Sequence, residues 1–194
     1  MSNAIGEVLE SIKKNRVEAN KKIEAIRKDV TLSPEGKQIA LTKVYKDSHL
    51  EHKRLISRYK IAVDNRKNEL VRNVYLHPIA YSLNTDNQIN IMRELVEKSE
   101  LAYKANEVNS LTERALGMRD KSLIRALGSV AYAKKDYATL EKLKNSDSAI
   151  GNVLDFERVF GELADASTKV QLNIMLRGVE QPKEVEQVVF NEMG

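Results

Sequence analysis

Apolar or small residues recur at Ile5, Val8, Ile12, Ala19, Ile23, Ile26 and Val30, and again at Leu41, Val44, Ser48, Leu55, Tyr59, Ala62 and Val63. Both series advance in steps of three and four, the mark of a helix that turns a narrow stripe toward a partner helix. They predict one helix over 4–30 and a second from Pro34 to about Tyr75. Between them, Thr31-Leu32-Ser33-Pro34-Glu35-Gly36 reads as a helix stop followed at once by a helix start. Ser33 suits the N-cap, because its hydroxyl can accept an N–H of the first turn. Pro34 then occupies the first helical position, where its missing N–H costs nothing. Glu35 sets a carboxylate on the positive end of the helix dipole.

A chain that folds back at Ser33-Pro34 pairs positions whose numbers sum to about 67. Ile26 then meets Leu41, Ile23 meets Val44, Ile12 meets Leu55 and Val8 meets Tyr59. The gap in the first stripe, Asn15-Arg16, falls opposite the gap in the second, Glu51-His52. Two readings follow for these four residues. In one, Arg16 with Glu51 and Asn15 with His52 form a buried polar layer that pins the register. In the other they lie solvated on the flank, contributing almost nothing.

The second helix is the longer, so its far end outruns the first. The apolar positions Tyr59, Val63, Leu70, Val74 and Tyr75 form an overhang to be covered by the C-terminal half of the chain or by another subunit. His77-Pro78 breaks the helix, since the residue before proline is pushed out of the helical region. Beyond lie shorter helical patterns: 86–106 with Ile89, Met92, Leu95, Val96, Leu101 and Ala102; a piece from Ser110 to Leu116 ended by Gly117; pieces capped by Asp120 and Asp136; 149–165; 167–176; and a last one from Pro182 through Val185, Val188, Val189 and Phe190. The expected organisation is an all-α protein: a basic antiparallel coiled-coil hairpin over 1–76, a connector over 77–85 and a bundle of shorter helices over 86–194.

Composition sharpens this picture. Charged residues make up 31% of the chain and aromatics 5%, with no Trp, as suits helices with narrow apolar faces. The absence of Cys excludes disulfides, thiolate metal sites and a Cys nucleophile. No apolar run approaches the ~20 residues of a membrane span, and Glu7 and Glu10 stand where a signal peptide is apolar. A protein residing in the cytoplasm of the producing cell, with no membrane partner, is therefore expected. The net charge of +4 divides unevenly, with +7 on residues 1–75 and −3 on residues 76–194. A basic hairpin can engage an acidic protein surface, stack with copies of itself, or contact nucleic acid.

Candidate chemistry is sparse. His49-Leu50-Glu51-His52 has neither zincin nor inverzincin spacing and lacks a third ligand. No phosphate loop, dinucleotide fingerprint or nucleophile elbow is present. The reading is of a protein without catalytic residues, cofactor or metal. Arg54, Arg58, Lys60, Arg66, Lys67 and Arg72 form the densest basic run and are the candidate phosphate contacts for sequence-independent nucleic-acid binding. The stretch Leu127-Gly128-Ser129-Val130-Ala131-Tyr132, with Asp136 and Leu140, resembles the turn of a tetratricopeptide repeat, but no second copy occurs at the spacing an array requires.

Leu32-Ser33-Pro34-Glu35-Gly36-Lys37, followed by Ile39-Ala40, Tyr45 and Glu51-His52 through Leu55, resembles a helical hairpin in poorly characterised proteins encoded among the head and structural genes of tailed bacteriophages and prophages. The likeness covers about residues 5–60 and implies a virion or assembly role. The function expected is accordingly non-enzymatic protein–protein interaction, through self-association or contact with virion proteins. Nucleic-acid binding through the basic hairpin is the alternative.

Overall fold

The computed structural model describes residues 3–76 and 105–185, and these divide into two compact units. One comprises Met1–Asp64 with Ala166–Gly194, the other Asn65–Asp165. The described residues contain seven α-helices, one π-helical turn and no strand. The expected connector over 77–85, the greater part of the helix over 86–106, and Val188, Val189 and Phe190 lie outside the described residues.

In the hairpin unit, α1 (Asn3–Lys28) and α2 (Pro34–Val71) form a long antiparallel pair. The turn between them is closed as its residues dictate. The Asp29 carboxylate accepts from the Thr31 N–H at 2.8 Å and its hydroxyl at 2.6 Å. Ser33 Oγ accepts the Gly36 N–H at 3.1 Å, the N-cap bond that α2 needs. Lys37 Nζ donates at 3.0 Å to the Arg27 carbonyl, one of the orphan carbonyls at the end of α1. Val30 does not extend the stripe. α1 stops at Lys28, and Val30 is 94% exposed in the turn.

Two clusters hold the pair together. Val8, Ile12 and Leu55 are joined by Ile56, Tyr59 and Leu176. Nearer the turn, Ile23, Leu41 and Val185 are joined by Ile26, Val44 and Val179. The expected partners Ile12 and Leu55, Val8 and Tyr59, Ile23 and Val44, Ile26 and Leu41 thus share clusters. The presence of Leu176, Val179 and Val185 is a departure from the expected division. A two-helix seam leaves one flank of each aliphatic open. Here the last helix among the described residues, α7 (Ala166–Met175), and the segment after it cover that flank rather than joining the other helices.

The bundle unit begins with the last turns of α2 and a π-helical turn, Arg72–Leu76. It continues through α3 (Ala105–Met118), α4 (Lys121–Ala133), α5 (Tyr137–Leu143) and α6 (Ser148–Phe160). Three aspartates start helices. Asp120 accepts from Ser122 N and Leu123 N at 2.9 and 3.2 Å, Asp136 from Thr139 N at 3.0 Å, and Asp147 from Ala149 N at 2.9 Å. α3 runs through Gly117 rather than ending there, and the chain turns instead at Arg119, with φ 52°. Lys135 does the same between α4 and α5, with φ 57°. Each of these left-handed non-glycine residues costs about 1 kcal/mol, which the packing on either side offsets.

The core of this unit is built from Leu70, Val74, Ala115, Ile124, Leu127, Leu140, Leu143, Ile150 and Leu154, all buried. Gly128 permits the close approach at its centre, since a Cβ there would stand 3.1 Å from Ile150 Cδ1 and 3.2 Å from Tyr75 Cε1. Of the two covers expected for the far end of α2, the chain itself supplies the one over Leu70, Val74 and Tyr75. The helices that follow bury Leu70 and Val74 and half-bury Tyr75, while Tyr59 packs in the hairpin and Val63 is half-buried.

Candidate functional site

Three groups of polar or exposed residues stand out: the middle of the hairpin, a buried carboxylate in the bundle unit, and the outward face of α2.

In the middle of the hairpin, Asn15 Nδ2 donates to the Ser48 carbonyl at 3.0 Å, and Ser48 Oγ donates to Asn15 Oδ1 at 3.3 Å. Arg16 Nη1 donates at 3.0 Å to the carbonyl of Ile174, in the last turn of α7. Glu51 has Arg54 of its own helix at 3.7 Å. Neither expected pair, Arg16 with Glu51 or Asn15 with His52, is formed. Asn15 is short and finds both of its partners one turn away at Ser48. Arg16 is long and reaches the unsatisfied carbonyls of a third segment that the two-helix register does not contain.

His52 is enclosed by that same third segment. A Cβ on Gly178 would stand 2.9 Å from its Cδ2, so only glycine lets the backbone lie against the ring. Its Nδ1 is buried with no hydrogen-bond partner among the described residues. Burial lowers the pKa of His52, with the neighbouring charges of His49 and Arg16 adding to the effect. Among the described residues, no three His, Cys, Asp or Glu side chains are grouped to hold a metal ion.

The bundle unit carries a site that the sequence reading missed. Glu157, on α6, is 1% exposed. Its carboxylate accepts from Tyr132 Oη at 2.7 Å, Lys67 Nζ at 2.9 Å and the Glu162 N–H at 3.1 Å. Burial pushes this carboxyl upward, but the hydrogen bonds from Lys67, Tyr132 and Glu162 outweigh it and leave the pKa below the ordinary value. Gly161 makes the arrangement feasible, because a Cβ there would fall 1.8 Å from Glu157 Oε2. Burial, and then the hydrogen bond to Glu157, push the Tyr132 phenol up. The Tyr75 ring lies 5.7 Å from that of Tyr132, and the Tyr75 hydroxyl is buried without a partner among the described residues. Chemically this is a tie between α2, α4, α6 and the loop after α6. Both carboxylate oxygens are committed to donors. No local pattern announces the site, for Lys67 sits within the basic run and Tyr132 within the repeat-like turn.

The six candidate phosphate contacts are divided between the two units. Arg54, Arg58 and Lys60 are exposed in the hairpin unit. Arg66, Lys67 and Arg72 belong to the bundle unit, where Arg66 pairs with Glu69 at 2.7 Å and Lys67 with Glu157. The outward face of α2 was not apparent from the stripe that the seam uses. Ile39, Lys43, Lys46, Leu50, Lys53, Arg54, Ser57, Lys60 and Ile61 are all exposed there.

No family model, no curated protein and no solved structure matches this chain. No helix among the described residues is long and apolar enough to cross a membrane.

Proposed function

We propose that this chain is a non-enzymatic assembly protein that works by protein–protein contact through its hairpin unit. The observation that carries the reading is the distribution of exposed large aliphatic side chains. Among the described residues these are Val17, Val30, Ile39, Leu50, Ile61, Val170, Ile174 and Met175 in the hairpin unit, against Met118 alone in the bundle unit. Exposed aliphatics concentrated on one part of a molecule mark a surface that meets another protein. The polar clusters support the same reading, because Glu157, Lys67, Tyr132, Asn15 and Arg16 spend their hydrogen bonds on holding segments of the chain together. For the setting we propose a tailed-bacteriophage virion or its head assembly, on the likeness of residues 5–60 to hairpins encoded in those gene clusters. The partners are then copies of the chain or other virion proteins.

A second reading, sequence-independent nucleic-acid binding, is favoured by the exposure of Arg54, Arg58 and Lys60 on one helix. Light scattering on a sizing column at low and high salt separates the two, together with titration of duplex DNA. A defined oligomer or a growing assembly whose mass persists in salt supports the assembly reading. A monomer at both salts that binds DNA with a steep loss of affinity in salt replaces it with the second.

A further inference from the structure

Ile39, Leu50 and Ile61 are spaced at eleven-residue intervals on α2 and are 71%, 56% and 59% exposed. Eleven residues make three helical turns to within about 20°. The three side chains therefore form a nearly straight row along the outside of the helix, with about 16 Å between neighbours. The residues that flank this row on the same face are Lys43, Lys46, Asp47, Lys53, Arg54, Ser57 and Lys60, all exposed. This stretch of the face carries five cations against the one exposed carboxylate of Asp47, and Arg54 reaches Glu51 at its margin.

We infer that the outward face of α2 between Ile39 and Ile61 is a docking stripe for an acidic amphipathic helix of a partner protein. The inference rests on the assembly reading and gives it a partner chemistry. Three arguments fix the occupant. The cations call for a partner of opposite sign. The aliphatic row calls for a partner with its own apolar row, because a phosphate backbone makes no use of isoleucine and leucine. The row is a single residue wide, far narrower than the apolar face with which an interfacial helix enters a lipid surface. A straight helix with aliphatics at the same interval and Glu or Asp on either side satisfies all three, in the manner of core and flanking positions of a coiled coil. A second copy is a poor match within the hairpin unit, since the exposed side of α1 mixes Glu10, Glu18 and Glu24 with Lys13, Lys14, Lys21 and Lys22.

The test uses the full chain and a labelled synthetic helix with leucine every eleven residues flanked by glutamate. A twin carrying lysine in place of glutamate and a short DNA duplex serve as comparison probes, all followed by fluorescence anisotropy. The acidic helix is expected to bind and its lysine twin not to bind. The triple variant Ile39→Ser, Leu50→Ser, Ile61→Ser is expected to lose about tenfold or more in affinity for it, as is Lys46→Glu, Lys53→Glu. Both variants change exposed positions, so an unaltered circular dichroism spectrum checks that the fold is kept. Failure of the wild type to bind the acidic helix, or equal binding by the triple variant, overturns the docking stripe. If the triple variant still assembles as the wild type does in light scattering, the assembly reading survives that failure. Binding of DNA alone, with no assembly at any salt, overturns both.

Discussion

In the hairpin unit the buried aliphatics form two clusters separated by Asn15, Ser48 and His52, and each cluster is completed by residues from the far end of the chain. In the bundle unit aliphatics from the end of α2 and from α3 to α6 enclose one another, and the buried polar centre, Glu157, has a donor for each oxygen. Two helices in a line can bury only a stripe, so they leave apolar side chains such as Ile39 and Leu50 in water. Several short helices can close around a core, and among the described residues Met118 is then the exposed large aliphatic that remains. The difference teaches that helix length, more than composition, decides which part of such a chain is left to meet other molecules.

Four experiments break or sharpen this contrast. The largest effect is expected from Leu154→Ala in the closed core, about 3 kcal/mol of lost stability in urea unfolding. The same measurement on Val185→Ala, at the edge of an open cluster, should give about 1 kcal/mol. Equal losses would mean that the hairpin clusters are as tightly enclosed as the bundle core. Next comes the buried carboxylate. Glu157→Ala leaves Tyr132 and the Glu162 N–H without their acceptor and should cost about 3 kcal/mol. Lys67→Met should cost about 2 kcal/mol, because it leaves the buried Glu157 carboxylate with neutral donors and no countercharge.

Acid should reach the two units in order. His52 has a lowered pKa in the folded chain, so the unfolded chain binds the proton more readily. Its contribution is fully present above the ordinary imidazole value of 6.5 and is lost as pH falls below it. Glu157 is also lowered, so its contribution is present above the ordinary 4.5 and is lost as pH falls through its own, lower value. Hydrogen exchange followed from neutral to acidic pH should therefore show the hairpin opening before the bundle. His52→Gln should flatten the first part of that profile while leaving the second. The smallest effect is expected at the turn, where Ser33→Ala removes the bond to the Gly36 N–H for about 1 kcal/mol in thermal unfolding.

Features governed by local chemistry were legible in the sequence. Ser33, Asp120 and Asp136 cap helices because the capping bond spans two or three residues, and the stripes of α1 and α2 placed Ile12 with Leu55 because a short turn fixes the register. Features that depend on a distant segment were not. Nothing near Arg16 says that its partner is Ile174, and nothing near His52 says that Gly178 lies against it. Glu157 looked like any helix-surface glutamate until Lys67 and Tyr132 were brought to it. The exposed row on α2 was hidden for another reason. A search for the buried stripe passes over apolar residues on the opposite side of the same helix.

The placement of Leu176, Val179 and Val185 against α1 and α2 has a consequence for synthesis on the ribosome. The bundle unit is an insertion, complete once Asp165 has emerged, whereas the hairpin unit is interrupted and awaits residues from Ala166 onward. Its closing contacts join positions such as Arg16 and Ile174, separated by 158 residues, and contacts so distant in sequence are slow to form. During translation the seam of the nascent hairpin stays open on one flank, at the stage when exposed apolar surface is most prone to aggregate. A chain released at Asp165 would keep its inserted unit and lose the closure of the other. The stretch of the message that encodes Ala166 onward therefore determines when α1 and α2 become solvent-safe.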